Sequence, residues 1–158
     1  MNDAHEITVR EEPDLDPAEL WDFYVEGECC EVRYGPQRAP SVLAKSDVVV
    51  TARNAGKLVG VARAITDGID ACIMELSLLP SHQGPGCVHE IAPLIEDDAR
   101  GVGKRLAETL VHALLARGIC FIERSSAYRT ELPFYESAGF APNTGHTPMY
   151  IDRRPPLP

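Results

Sequence analysis

Leu106, Leu110 and Leu114, flanked by Ala107, Val111 and Leu115, recur at helical spacing between Gly103 and Gly118. The stretch is predicted to be a helix with one apolar face and Gly118 as its stop. A helix of that kind needs a layer to pack on, and the chain supplies strands on both sides. After Gly118, Ile119-Cys120-Phe121-Ile122 is an apolar run too short for a helix. It reads as a buried strand, parallel to the one before the loop. At the other end, Arg100 is followed by Gly101-Val102-Gly103-Lys104 where the helix begins. Helix N-termini carry unpaired N–H groups and a positive dipole end, and glycines let the backbone approach an anion closely. Strand, glycine loop, helix, strand therefore describes an α/β unit with a phosphate cradle at its loop.

Upstream, Glu6 to Arg10 alternates apolar and polar residues and reads as a first strand. Asp16 is placed to cap a helix with Pro17 at its first position, and Leu20, Trp21, Phe23 and Tyr24 form its apolar face. Gly27 to Ser46 mixes polar, aromatic and turn residues, with a short helix expected over Pro40 to Lys45. A meander follows: Val48 to Arg53, a turn at Asn54-Ala55-Gly56, Leu58 to Ile65, a turn at Asp67-Gly68, then Ala71 to Leu79. Beyond it two readings stay open. Either Ser81 to Cys87 is a hairpin turn and Val88 to Ile95 a strand feeding the cradle, or the cradle is split between Gln83 to Gly86 and Arg100 to Lys104. The helix context favours the first. Pro93 would then sit at a bulge or an edge, because it lacks a ladder donor. Thr147 to Ile151 reads as a last strand, and the proline-rich end should fray.

At 158 residues, one domain spanning 1–158 can bury about two thirds of its unfolded surface. Five cysteines, an odd number without metal spacing, suggest reduced thiols in a cytoplasmic protein and no metal. No stretch reaches membrane-spanning length, and the N-terminus lacks an apolar leader core. Fifteen basic against 24 acidic side chains give a net charge of −9, which argues against nucleic acid as a partner and suits a cationic one.

Pro133-Phe134-Tyr135-Glu136-Ser137-Ala138-Gly139-Phe140, downstream of the glycine loop, resembles, together with that loop, the signature of the GCN5-related N-acetyltransferases. The likeness runs from about Val48 to Phe140. It implies a mixed, mainly antiparallel sheet flanked by helices, and acetyl transfer from acetyl-CoA to a primary amine of a small molecule or protein by direct attack. It also implies coenzyme A bound by Ile95 and Tyr135 with its pyrophosphate on Arg100, Gly101, Val102, Gly103 and Lys104, an acceptor walled by the segment between the first two strands, and a homodimer as an option. Tyr135 is similar to the family's tyrosine that protonates the coenzyme A thiolate. Where the family pattern carries an asparagine upstream of that tyrosine, this chain has Tyr128. With that asparagine missing and Glu96-Asp97-Asp98 ahead of the cradle, the rival reading is an inactive acyl-CoA sensor or interaction module on the same fold.

Such transfer needs a neutral amine, and an amine of pKa roughly 10 is only about one part in a thousand neutral at pH 7. Glu90, on the proposed cradle strand, and Glu75, on the strand before it, are the candidate bases. Backbone N–H groups near Ala92 to Leu94 would meet the developing oxyanion. Thr130 is expected to cap a short helix that holds Tyr135, with Pro133 in its first turn and Gly139 at its end.

Overall fold

A computed structural model describes residues 6–83, 101–124 and 131–156. In chain order these form β1 (Ile7–Glu11), α1 (Pro17–Glu26), 3-10 turns at Cys30–Tyr34 and Pro36–Arg38, and α2 (Ala39–Ala44). Then come β2 (Val48–Asn54), β3 (Lys57–Thr66), β4 (Asp70–Leu78), a 3-10 turn at Pro80–His82, α3 (Val102–Ala116), β5 (Phe121–Glu123) and α4 (Leu132–Ser137). The strands make one sheet in the order β1-β2-β3-β4-β5, antiparallel through β4 and parallel between β4 and β5. This is the mixed, mainly antiparallel sheet the sequence predicts.

The start of α1 follows from its first residues. The Asp16 carboxylate accepts from the Ala18 N–H at 2.9 Å, and Pro17 begins the helix. That satisfies one of the donors a helix start leaves open, without asking Pro17 for an N–H it lacks. Leu20, Phe23 and Tyr24 are buried, and Tyr24 reaches β4. On the opposite face α3 buries Val102, Leu106, Ala107, Leu110 and Leu114. Strands covered on both faces read as continuous apolar runs, which is why β3 is buried from Leu58 through Ala64.

Gly60 sets how closely α3 approaches. A Cβ there would lie 2.8 Å from Leu106 Cδ1, 3.0 Å from Leu78 Cδ1 and 3.2 Å from the Ala52 Cβ. Gly60→Val is therefore expected to destabilise the fold by about 1–3 kcal/mol through overpacking. A urea midpoint that falls with an unchanged slope checks this; an unchanged midpoint would show that Leu106 moves aside freely.

Two expectations need correction. The strand after α3 is an exposed edge element rather than a buried one. Ile119 is buried just ahead of it, but Phe121 is 52% exposed and, among the described residues, β5 pairs only with Asp70, Ala71 and Cys72 of β4. Nor do residues 147–151 form a strand. They have no regular structure, and Met149, Tyr150 and Ile151 are 92%, 87% and 87% exposed, because apolar character makes no strand without an edge to pair with. The strand expected over Val88 to Ile95 and the Thr130 cap lie outside the described residues. Of the Ser81 to Cys87 turn, only the start is described, inside the 3-10 turn.

One irregularity positions the site. Arg63 pairs with Glu75, but the next β3 residue, Ala64, pairs with Ile73, so Met74 is an extra residue in β4. A bulge of this kind bends the strand and re-aims its side chains.

Candidate active site

At the start of α3, Gly101 takes the left-handed conformation, φ 66° and ψ 25°. A side chain is strained there, although a Cβ would meet nothing within 4 Å. Gly101, at the N-cap, has no side chain with which to cap the helix, and the first turn carries no acidic residue. Lys104 is half-exposed and lies 3.7 Å from Glu108 one turn on. Arg105 donates from Nη2 to the Ile7 carbonyl at 2.9 Å, which ties this end of α3 to β1. A positive helix end that opens on a left-handed glycine suits an anion. Arg100 and Ile95, expected to join this cradle, lie outside the described residues, as does Glu90.

Glu75 is 3% exposed at the bulge of β4. Its Oε2 accepts from Arg63 Nε at 2.6 Å and from the Tyr24 hydroxyl at 2.8 Å. Arg63 Nη1 in turn donates to Ser46 Oγ at 3.0 Å. Oε1 of Glu75 is buried and has no hydrogen-bond partner among the described residues. Burial and then the Glu75 charge push the Tyr24 phenol far above its usual range, so it stays a donor. The same two causes raise the Cys29 thiol and the Glu31 carboxyl, which stand on the wall formed by the Cys30–Tyr34 turn and the residue before it.

Tyr135 is 4% exposed on α4. Phe134 and Phe140 meet its ring edge-on, with centroids 5.1 and 5.6 Å away. Pro133 lies in the first turn of α4 and Gly139, at φ 92°, follows its end, as the sequence predicts. Burial raises the Tyr135 pKa, while the charge of Arg124 and a hydrogen bond from it pull the other way. Arg124 follows directly on β5, and its Nη1 donates to the carbonyls of Ile73 and Met74 at 3.1 and 3.2 Å. One guanidinium therefore joins the tyrosine to the bulge that carries Glu75. Its Nε is buried without a partner among the described residues.

Sequence reasoning missed Arg63, Tyr24 and Arg124. Arg63 carried a signal, a charge inside an apolar strand run, which in a covered strand demands a partner. Tyr24 sat on the expected apolar face of α1 with nothing to mark its hydroxyl, and Arg124 followed a short strand without pattern. Among the described residues, no group of three or more His, Cys, Asp or Glu side chains could hold a metal ion.

No family model matches the sequence, and no curated protein matches it by sequence comparison. Solved structures do match the fold. A GNAT-family acetyltransferase from Streptococcus pneumoniae superimposes with a TM-score of 0.64 at 18% identity, over 94% of this chain and 100% of its own. A GCN5-related N-acetyltransferase from Ralstonia eutropha gives 0.62 at 16%, over 90% and 97%. Glucosamine-6-phosphate N-acetyltransferase from Arabidopsis thaliana gives 0.67 at 11%, over 93% and 99%. The architecture is thus an acyltransferase architecture, with four antiparallel strands running into a parallel fifth. More narrowly, it is the fold of the GCN5-related N-acetyltransferases.

Proposed function

We propose that this protein is an N-acetyltransferase that moves an acetyl group from acetyl-CoA to a primary amine by direct attack. The observation that carries this reading is the link through Arg124 between the buried Tyr135 and the bulge bearing Glu75, a buried carboxylate with one oxygen unengaged among the described residues. Acid and base chemistry need a donor and an acceptor held on rigid elements, and both are. The described residues also fit the cosubstrate: Gly101 to Lys104 would take its pyrophosphate at the N-terminal end of α3.

Acetyl-CoA supplies an acetyl thioester. Glu75 Oε1 takes a proton from the incoming ammonium, leaving a nucleophilic amine. Tyr135 gives its proton to the departing sulfur, and Arg124, donating to the phenol, favours the phenolate left behind. The Arabidopsis neighbour, an N-acetyltransferase by name, supports an amine as acceptor. No helix among the described residues is long and apolar enough to cross a membrane.

Calorimetric titration with acetyl-CoA, free coenzyme A and NAD tests the reading, followed by product detection over an amine panel. Binding of the two coenzyme A species and not NAD is expected, and Gly101→Glu, placing a carboxylate at the cradle, should weaken it at least about tenfold. Coenzyme A binding without any acetylated product would favour a sensor on the same fold. No binding to folded protein would remove the enzyme reading.

A further inference from the structure

Among the described residues, every donor to the Glu75 carboxylate arrives at one oxygen. The Tyr24 hydroxyl of α1 donates to Oε2 at 2.8 Å, and Arg63 Nε of β3 donates to it at 2.6 Å. Arg63 is itself held from the end of α2. Its Nη1 donates to Ser46 Oγ at 3.0 Å, and that hydroxyl donates in turn to the Val42 carbonyl at 2.8 Å. A chain of donors therefore runs from α2 through β3 to β4, where α1 meets it. Oε1 receives none of them and has no partner among the described residues.

The last torsion of a glutamate is broad, so a carboxylate left to itself swings. Two donors that reach one oxygen from different elements fix the carboxylate plane, and with it the direction of the lone pairs on the other oxygen. This arrangement keeps a phenol and a guanidinium out of water, with Tyr24 2% and Arg63 9% exposed. Apolar residues of similar volume often stabilise as well as a buried ion pair, so stability alone does not account for it. Catalysis does, because a base must lie within hydrogen-bond reach of its proton, directly or through one water, and misplacement by about 1 Å can cost roughly 100-fold.

We propose, resting on the acetyl-transfer reading above, that Tyr24 and Ser46 are positioning residues for the base. Tyr24 acts on Glu75 directly and Ser46 acts through Arg63; together they commit Oε2 and aim Oε1 at the incoming amine. The consequence is a loss of rate that depends on pH. An amine of pKa roughly 10 is about one part in a thousand neutral at pH 7 and about one part in ten at pH 9. A misaligned base slows reaction of the ammonium, whereas an amine that arrives neutral needs no base. Burial and then the Glu75 charge also raise the pKa values of Cys29 and Glu31. Both groups are common to parent and variants and cancel in the ratio of their rates.

Tyr24→Phe deletes one oxygen and keeps the ring, and Ser46→Ala deletes one oxygen at a part-buried position. The acceptors are 2-phenylethylamine, 1,4-diaminobutane, lysine and any other primary amine that the parent acetylates. For each accepted amine, kcat/KM in both variants is expected to fall at least about tenfold at pH 7 and no more than about threefold at pH 9. Ser46→Thr keeps the hydroxyl and should stay within about threefold of the parent at both pH values. Unchanged affinity for coenzyme A, read calorimetrically, identifies the folded variants, and the Ser46 pair carries the test if Tyr24→Phe does not fold. An equal loss at both pH values, or no loss, in a folded variant would overturn the positioning role and leave the acetyltransferase standing. So would a Ser46→Thr protein as slow as Ser46→Ala. No acetylated product from the parent would remove the acetyltransferase reading and this inference with it.

Discussion

Tyr135→Phe should lower kcat by about 10²–10⁴-fold, the range in which a positioned general acid contributes. The ring stays, and with it both edge-on contacts to Phe134 and Phe140, so folding and affinity for coenzyme A should hold. Single-turnover rates with acetyl-CoA and an accepted amine separate the chemical step from binding. The phenol titrates above its usual range, so it remains protonated through neutral pH. Loss of the acid should therefore depress the rate across the neutral range rather than shift a limb of the pH profile. A variant as fast as the parent would return the tyrosine to a packing role.

Glu75→Ala should cost about 3–5 kcal/mol of stability, because it strands the buried Arg63 guanidinium and the Tyr24 hydroxyl that Oε2 now accepts from. A buried ion pair is nevertheless weak evidence of a stabilising design, since apolar replacements of both partners are often neutral. The double variant Glu75→Leu with Arg63→Met is accordingly expected to recover most of that stability and none of the acetyl transfer. Urea midpoints and product yields for the single and double variants complete the test. If the double variant is both stable and active, the pair is structural and the base lies elsewhere. If Glu75→Ala costs less than about 1 kcal/mol, Arg63 and Tyr24 relax to solvent and the interior does not hold them in place.

Features governed by neighbours in sequence were legible without the structure. Asp16 and Pro17 announced the start of α1, the turn residues Asn54-Ala55-Gly56 and Asp67-Gly68 separated three strands of the meander, and the spacing of Leu106, Leu110 and Leu114 drew the buried face of α3. The environment of Tyr135 followed from the aromatic residues around it. Features governed by partners distant in sequence were not. Glu75 was recognisable as a strand carboxylate, but its pairing with Arg63 depends on register and its contact with Tyr24 on how α1 lies across the sheet. Residues 147–151 show the opposite error, since β-prone composition was read as a strand in a segment that pairs with neither edge of the sheet.

Met74 divides β4 into two half-strands of opposite parity. By register, Leu76 and Leu78 lie with Gly60 and Ala62 on the α3 face, as does Ile73 opposite Ala64, while Glu75 points with Arg63 to the α1 face. Strict alternation would have placed Ile73 and Glu75 on one side. The extra residue thus lets a single strand deliver isoleucine to a dry core and glutamate to a polar pocket. It also makes length, more than composition, the quantity that this strand must conserve. Substitution at Met74 leaves the phase intact, but removing it would turn one half of the strand over and bury the wrong set of side chains.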